Sequence, residues 1–243
     1  FVKTIVLLLL FTSLAAPSVA SAASLLLEKI LASYPVADEP QVVKSLLIAG
    51  ATKKRLPGWL RTATSRPYDE VFGAGELNVL NAYHMLVVGQ QSASASVERA
   101  TLGWDFAPSS SSTPKRYFFT VPQGQMAVSF AAGLVWHRQV TRRTFLSTLP
   151  NLELRVYAAS GFIPDAVPID QSLSAVDNVE HLYLRNLPAG QYMLEVSSDT
   201  NAHDYAIAWE AQLGTGPALS VRRDGSGGIH LDLENLDPFV TYT

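Results

Sequence analysis

The chain of 243 residues contains no cysteine. That absence excludes disulfides, zinc–thiolate sites and thiol catalysis together, and leaves the compartment open. Charge is also scarce: charged residues make up 16%, with 18 basic against 21 acidic and a net charge of −3. No stretch gathers more than a few basic residues, so the sequence has no extended grip for a phosphate backbone, and nucleic acid is not an expected partner. Glycine and proline, at 15 and 14, are near ordinary usage, which sets aside collagen-like and low-complexity classes. What is abundant is apolar residues, at 48%. This is a globular composition, long enough for one large domain or two modest ones with real cores.

The first 23 residues fit the pattern of a secretory signal. Lys3 stands in a short basic region, Ile5 to Phe11 is an unbroken apolar run, and Ala20-Ser21-Ala22 is a small-x-small cleavage site. A stable membrane span is not expected, because Thr12, Ser13, Pro17 and Ser18 interrupt the apolar stretch. The chain begins with Phe rather than Met, and the expectation is that it is cut out of something longer.

A second pattern starts at Thr12. The run Thr12-Ser13-Leu14-Ala15-Ala16-Pro17-Ser18-Val19-Ala20-Ser21, followed by small residues and Leu25-Leu26-Leu27, resembles the nucleophile segment of subtilisin-like serine peptidases, roughly G-T-S-x-A-x-P-x-V-A-G. In that chemistry a serine at the start of a helix offers its hydroxyl to a cleft, and its own N–H helps bind the oxyanion. Downstream, Pro35, the helical pattern of Glu39 to Ala49 with Val43-Lys44-Ser45-Leu46-Leu47, and Gly73-Ala74-Gly75-Glu76-Leu77-Asn78-Val79-Leu80-Asn81-Ala82 follow the family's order of segments. Two departures stand out. Phe11 replaces the glycine expected before Thr12, and no D-[ST]-G or H-G-T segment precedes Ser13. The family orders its triad Asp, His, Ser along the chain, so these residues alone lack the base and its orienting carboxylate. None of the five histidines, His84, His137, His181, His203 and His230, forms a metal-type pair, and each reads as structural.

From about residue 96 the hydrophobic period changes from helical to alternating. Strands are expected near Tyr117 to Val121, Met126 to Phe130, Gly133 to His137, Leu152 to Ala158, Val179 to Leu184, Gln191 to Ser197 and Asp204 to Glu210. Asn186-Leu187-Pro188-Ala189-Gly190 is a turn, and Asp224-Gly225-Ser226-Gly227 marks another between Leu219–Val221 and Gly228–Leu233. About seven short strands with turn signals fit an antiparallel sandwich or jelly roll. The segment Asn178 to Leu184, followed by Leu187-Pro188-Ala189-Gly190-Gln191-Tyr192-Met193-Leu194-Glu195-Val196, resembles the L-x-A-G-x-Y-x-L-x-V hairpin of pre-peptidase C-terminal and P-like modules, which follow the catalytic domain in many secreted bacterial peptidases. Trp136 and Trp209 read as core. Trp104 and Tyr117 read as packing in preference to a sugar platform. Asp165, Asp170, Asp177, Asn178 and Glu180 crowd one region with the hard oxygens that suit calcium. Their spacing is not that of an EF-hand, so a solvated acidic loop is expected and no cofactor is assigned.

The expected fold class is therefore the C-terminal, mainly helical part of a subtilisin-like α/β domain over residues 1–90, with 1–11 signal-like or unrelated. A linker over 91–103, an all-β antiparallel sandwich over 104–213 and a further β segment over 214–243 follow. The resemblance implies a secreted or cell-surface bacterial serine endopeptidase with Ser13 as nucleophile and a protein or peptide as substrate. It also implies that this piece is inactive by itself. The rival expectation is a secreted β-sandwich binding protein whose signal is cleaved near Ala22. A degenerate pseudo-peptidase would keep the same residues as the first. The oligomeric state is not legible here.

Overall fold

The computed structural model describes residues 2–56, 58–141, 143–215, 218–223 and 229–234, with side chains between 14 and 215. It opens with helix α1 (Val2–Ser33), a 3-10 turn (Pro35–Ala37), α2 (Pro40–Gly50) and α3 (Val79–Val88). Thirteen strands follow among the described residues: β1 (Leu102–Pro108), β2 (Lys115–Val121), β3 (Met126–Trp136), β4 (Gln139–Val140), β5 (Ser147–Thr148), β6 (Leu152–Ser160), β7 (Ile163–Pro164), β8 (Asp170–Ser172), β9 (Val179–Leu187), β10 (Gly190–Ser198), β11 (Asp204–Gly214), β12 (Ala218–Arg223) and β13 (Ile229–Glu234).

One sheet has the order β1-β11-β3-β9, the other β2-β10-β6-β7 with β8 also paired to β6. Leaving aside the two-residue strands, each step along the chain from β1 to β11 crosses between the sheets, except the step from β6 to β8. That double Greek-key order is a jelly roll. Between the sheets, Tyr117, Phe119, Phe130, Leu134, Trp136, Leu154, Leu182, Leu194, Ile207 and Trp209 form one core, and Phe119 stacks on Phe130 at 5.3 Å between ring centres.

The outer face of the first sheet is also covered. Along β11, Tyr205, Ile207 and Trp209 point into the sandwich while Ala206 and Ala208 point out. They share a second core with Leu26, Ile30, Val42, Leu46, Ala49, Met85, Leu86 and Trp104. Small residues on this face form a flat bed on which α2 lies. At Gly133 of β3 an added Cβ would stand 2.9 Å from Ile48 Cγ2 and 3.2 Å from Ser45 O, so only glycine lets the helix approach this closely. The molecule is thus three-layered: helices, sheet, sheet. The outer face of the second sheet is mixed: Phe118 and Met193 are buried there, Phe118 against Phe162, and the polar groups beside them pair as Arg116 Nε to Glu195 Oε2 at 3.0 Å and Arg155 to Ser197 Oγ at 2.8 Å.

Local chemistry explains the helix ends. Pro40 starts α2 at a position whose N–H has no helical partner. Asn78 caps α3, its side chain accepting from the Asn81 N–H at 3.1 Å. Three expectations need correction. The expected helix start at Thr12 lies inside α1, because the leucine-rich residues before it favour helix and extend it back to Val2. Residues 91–101 do not run free as a linker: Gln91 N–H donates to Trp104 O at 2.7 Å, Ser94 N–H to Arg116 O at 2.8 Å and Arg99 N–H to Phe118 O at 2.6 Å, so the segment bridges the edges of both sheets. The strands either side of Pro188 are not a hairpin, since β9 and β10 belong to different sheets. Tyr192 Oη donates to Pro188 O at 2.8 Å and pins that crossing, in the manner of a tyrosine corner. Strands β12 and β13 pair antiparallel where the last hairpin was expected; its turn, Asp224 to Gly227, lies outside the described residues.

Candidate functional site

The segments singled out for a peptidase lie in the helical layer. Ser13 falls within α1, and its side chain lies outside the described ones. Pro17 stands four residues later, so the Ser13 carbonyl has no N–H to accept from at the usual helical position. Farther along α1, Ala22, Leu26 and Ile30 are buried, whereas Leu14, Leu25 and Leu31 are 65%, 60% and 69% exposed. By length and composition, Leu14–Ser33 is apolar enough to cross a membrane, although its interruptions had argued otherwise. The Gly73 to Asn78 motif has a mechanical role. Gly75 sits at φ 118° with the Thr52 carbonyl 2.7 Å from where a Cβ would be, and Thr52 and Glu76 exchange two backbone hydrogen bonds at 2.9 Å. The motif thereby closes the 51–78 loop and delivers Asn78 to cap α3.

One gathering of buried titratable groups lies under that loop, where it covers edge strand β9. Lys53 is buried, donates to Ala51 O at 3.1 Å and has Nζ 4.7 Å from the Tyr183 ring centre and 5.2 Å from that of Trp59. Burial brings its pKa down to about 7. Trp59 is fixed by Nε1 donating to Gly73 O at 2.9 Å and meets Tyr183 and His181 edge to face. His181 Nδ1 lies 2.8 Å from Ala132 O; a carbonyl only accepts, so Nδ1 carries the proton. Burial, then the nearby Lys53 charge, pushes this imidazole well below its ordinary pKa. Glu180 accepts from Ser172 Oγ through one oxygen and from the Ser174 N–H at 2.5 Å through the other. Burial pushes its pKa up to about 8, and the charge on Asp177 adds to the rise. At the rim Arg61 pairs with Asp170 at 2.5 Å and donates to His181 O at 2.8 Å.

Lys53, Glu180 and His181 are all closed off from solvent. The arrangement therefore clamps the 51–78 loop to the sandwich; a reacting molecule has no access to these three groups. Sequence reading passed over Lys53, Trp59 and Tyr68, whose ring lies 5.9 Å from that of His181; the only signal for them was three large aromatics, Trp59, Tyr68 and Phe72, in one loop. The expected solvated acidic loop is corrected except at Asp165, which is exposed. Glu180 is buried, Asp170 is ion-paired, Asp177 accepts from Ser174 Oγ at 2.7 Å and Asn178 donates to Trp136 O at 2.8 Å. These groups are spent on separate partners because they tie down the turn before β9.

The histidines are dispersed. His84 is exposed on α3, His137 is exposed, and buried His203 bonds through its ring to the His137 carbonyl at 2.8 Å and to Gln139 at 3.1 Å. The His230 side chain lies outside the described ones. Trp136 and Trp209 are core residues, and Trp104 and Tyr117 are equally buried. Tyr117 Oη donates to Asp105 at 2.9 Å and Trp104 Nε1 to Leu86 O at 3.2 Å, so both are packing residues with satisfied polar tips.

No protein-family model and no curated protein matches the chain. Among solved structures it is similar to the pre-peptidase C-terminal domain of a collagenase from Bacillus anthracis, at 10% identity over 50% of this chain and 97% of that one, TM-score 0.35. It is also similar to CorA, a surface-associated copper-binding protein important in copper acquisition in Methylomicrobium album BG8, at 8% identity over 45% and 83%, TM-score 0.26.

Proposed function

We propose that the chain is the C-terminal part of a secreted subtilisin-like serine endopeptidase: the helix that bears the nucleophile Ser13, the two helices that follow it, and a jelly-roll module. The observation that carries this reading is the character of α1. One face, Ala22, Leu26 and Ile30, is buried on the helical layer, yet Leu14, Leu25 and Leu31 on its other faces are exposed. Apart from Glu28, Lys29 and its serines, the open faces of this helix are apolar, which suits it to enclosure by further protein. The rest of a catalytic domain would supply that enclosure and bring a histidine and an aspartate to Ser13. In the whole enzyme Ser13 Oγ attacks the peptide carbonyl, the histidine takes its proton and returns it to the leaving amine, and backbone N–H groups stabilise the oxyanion. The protein substrate lies across that cleft, with the jelly roll outside it.

The test uses the gene product that includes upstream Asp and His segments. Ser13→Ala should reduce kcat/KM on an unstructured protein substrate by roughly a thousandfold or more; unchanged hydrolysis would overturn the assignment. The second reading, a secreted binding protein, is favoured by the same helix being long and apolar enough to act as an export signal. Terminal sequencing of the exported protein separates them. A mature chain starting next to Ala22 would remove Ser13 and support the binding protein, whereas one retaining residues 12–30 keeps the peptidase reading.

A further inference from the structure

Between Trp136 and Leu149 the chain leaves the sandwich. Every described residue from His137 to Thr148 is exposed, and Gln139–Val140 pairs with Ser147–Thr148 as a ladder of its own, unattached to either main sheet. The tip closes on itself: the N–H groups of Phe145 and Thr144 both donate to Thr141 O, at 2.8 and 3.2 Å, and the Thr141 N–H donates to Leu146 O at 2.9 Å. Phe145 adopts φ 53°, a left-handed conformation that a bulky residue rarely takes. Its side chain is 81% exposed, and that of neighbouring Leu146 67%. Two large apolar side chains are therefore displayed at a projecting point with no core beneath them. Along the chain the charge has one sign. Arg138, Arg142 and Arg143 lie in this stretch, and no aspartate or glutamate occurs anywhere from Phe106 to Leu152.

We propose that this hairpin anchors the protein to an anionic lipid surface, with Phe145 and Leu146 entering the boundary between headgroups and acyl chains and Arg138 and Arg143 lying beside lipid phosphates. Exposed apolar residues flanked by arginine are the combination that an interface of phosphate over hydrocarbon takes up. Because the tip's backbone groups are bonded within the turn, few peptide groups lose water on entry. A folded acidic protein fits less well. A stable protein interface needs about 800 Å² on each partner with matching shape, and a narrow two-stranded tip offers little of either, whereas a lipid surface needs no complementary shape.

Since the chain has no cysteine, Thr144→Cys carries a single environment-sensitive fluorophore at the tip. The full chain is titrated with vesicles of phosphatidylglycerol and phosphatidylcholine in equal parts, and with phosphatidylcholine alone, at 0.1 M salt. The expected result is a blue-shifted, brighter probe on the anionic vesicles only. Affinity should fall about fivefold for each arginine removed in Arg138→Gln and Arg143→Gln, and at least about tenfold in the double variant Phe145→Ser with Leu146→Ser. Co-sedimentation without a change in the probe would mean that apolar α1 binds the vesicles, and would overturn the proposal. So would affinity unaffected by the four substitutions, or a probe response to soluble polyglutamate that equals the response to vesicles, which would point to an acidic protein.

Discussion

Lys53 donates to one carbonyl and otherwise faces two aromatic rings, while Glu180 is buried on serine and backbone donors. Each is held away from its ordinary protonation state, and the two act on stability with opposite sign. Lys53 has a pKa of 10.5 when unfolded and about 7 in the fold. Between those values the unfolded chain binds a proton that the folded one does not, so stability rises with pH across that window. Glu180 moves from 4.5 to about 8. Here the folded state keeps the proton, so its contribution is fully present below about 4.5 and is lost as pH rises toward 8. Urea unfolding from pH 5 to 10 therefore has a distinct signature in each variant. Lys53→Met should raise stability at pH 6 by about 1–3 kcal/mol, since a desolvated ammonium is replaced by a side chain of similar length, and should flatten the rise above pH 8. Glu180→Gln should flatten the fall between pH 5 and 7. A Lys53→Met variant less stable at pH 6 would show that the two ring contacts outweigh desolvation.

At the scale of elements, the positions that set the layers are those where one element touches another with no room left. Gly133→Ala would place a methyl group 2.9 Å from Ile48 Cγ2. Lifting α2 off its bed should cost about 1–3 kcal/mol, read as a lower urea midpoint. Tyr192→Phe removes only the hydroxyl that pins the β9–β10 crossing and should cost about 1 kcal/mol. The period-two run of β6 was legible because its burial alternates residue by residue and the pattern reports that face directly, whereas β2 and β10 were legible as short apolar runs, buried on both faces at their centres. The pairing around Leu187-Pro188-Ala189-Gly190 was not legible, since a tight turn looks the same whether the next strand pairs with the last or crosses to the other sheet. Strand β1 was missed because its neighbours are polar and small, which reads as linker, although residues 91–101 are hydrogen-bonded to both sheets. The Lys53 clamp was invisible because nothing local marks a lysine for burial; Trp59, His181 and Tyr183 close around it only when a loop and an edge strand distant in sequence come together.

For the whole molecule, the question is whether the helices and the jelly roll are one cooperative unit or two. The continuous apolar runs of β3 (Phe130-Ala131-Ala132-Gly133-Leu134-Val135-Trp136) and β11 (Tyr205-Ala206-Ile207-Ala208-Trp209) already hold the answer, because a strand apolar at every position needs cover on both faces. In the structure one face meets the second sheet and the other meets α2 and α3, with Trp104, Ala206 and Ala208 in the same core as Leu46, Met85 and Leu86. Separating the helices would leave that sheet face open to water, an apolar patch of the kind that drives association. Two independently stable domains joined by a flexible linker would melt in two steps and survive cutting between them. The shared core predicts a single calorimetric transition with equal calorimetric and van't Hoff enthalpies, together with aggregation of a chain restricted to residues 102–215. Two resolved transitions, or a soluble monomeric 102–215 with the native melting temperature, would mean that the helical layer only rests on the sandwich. In that case Gly133→Ala should leave the jelly roll's melting unchanged, so the same substitution that probes one element contact also decides how the molecule is divided.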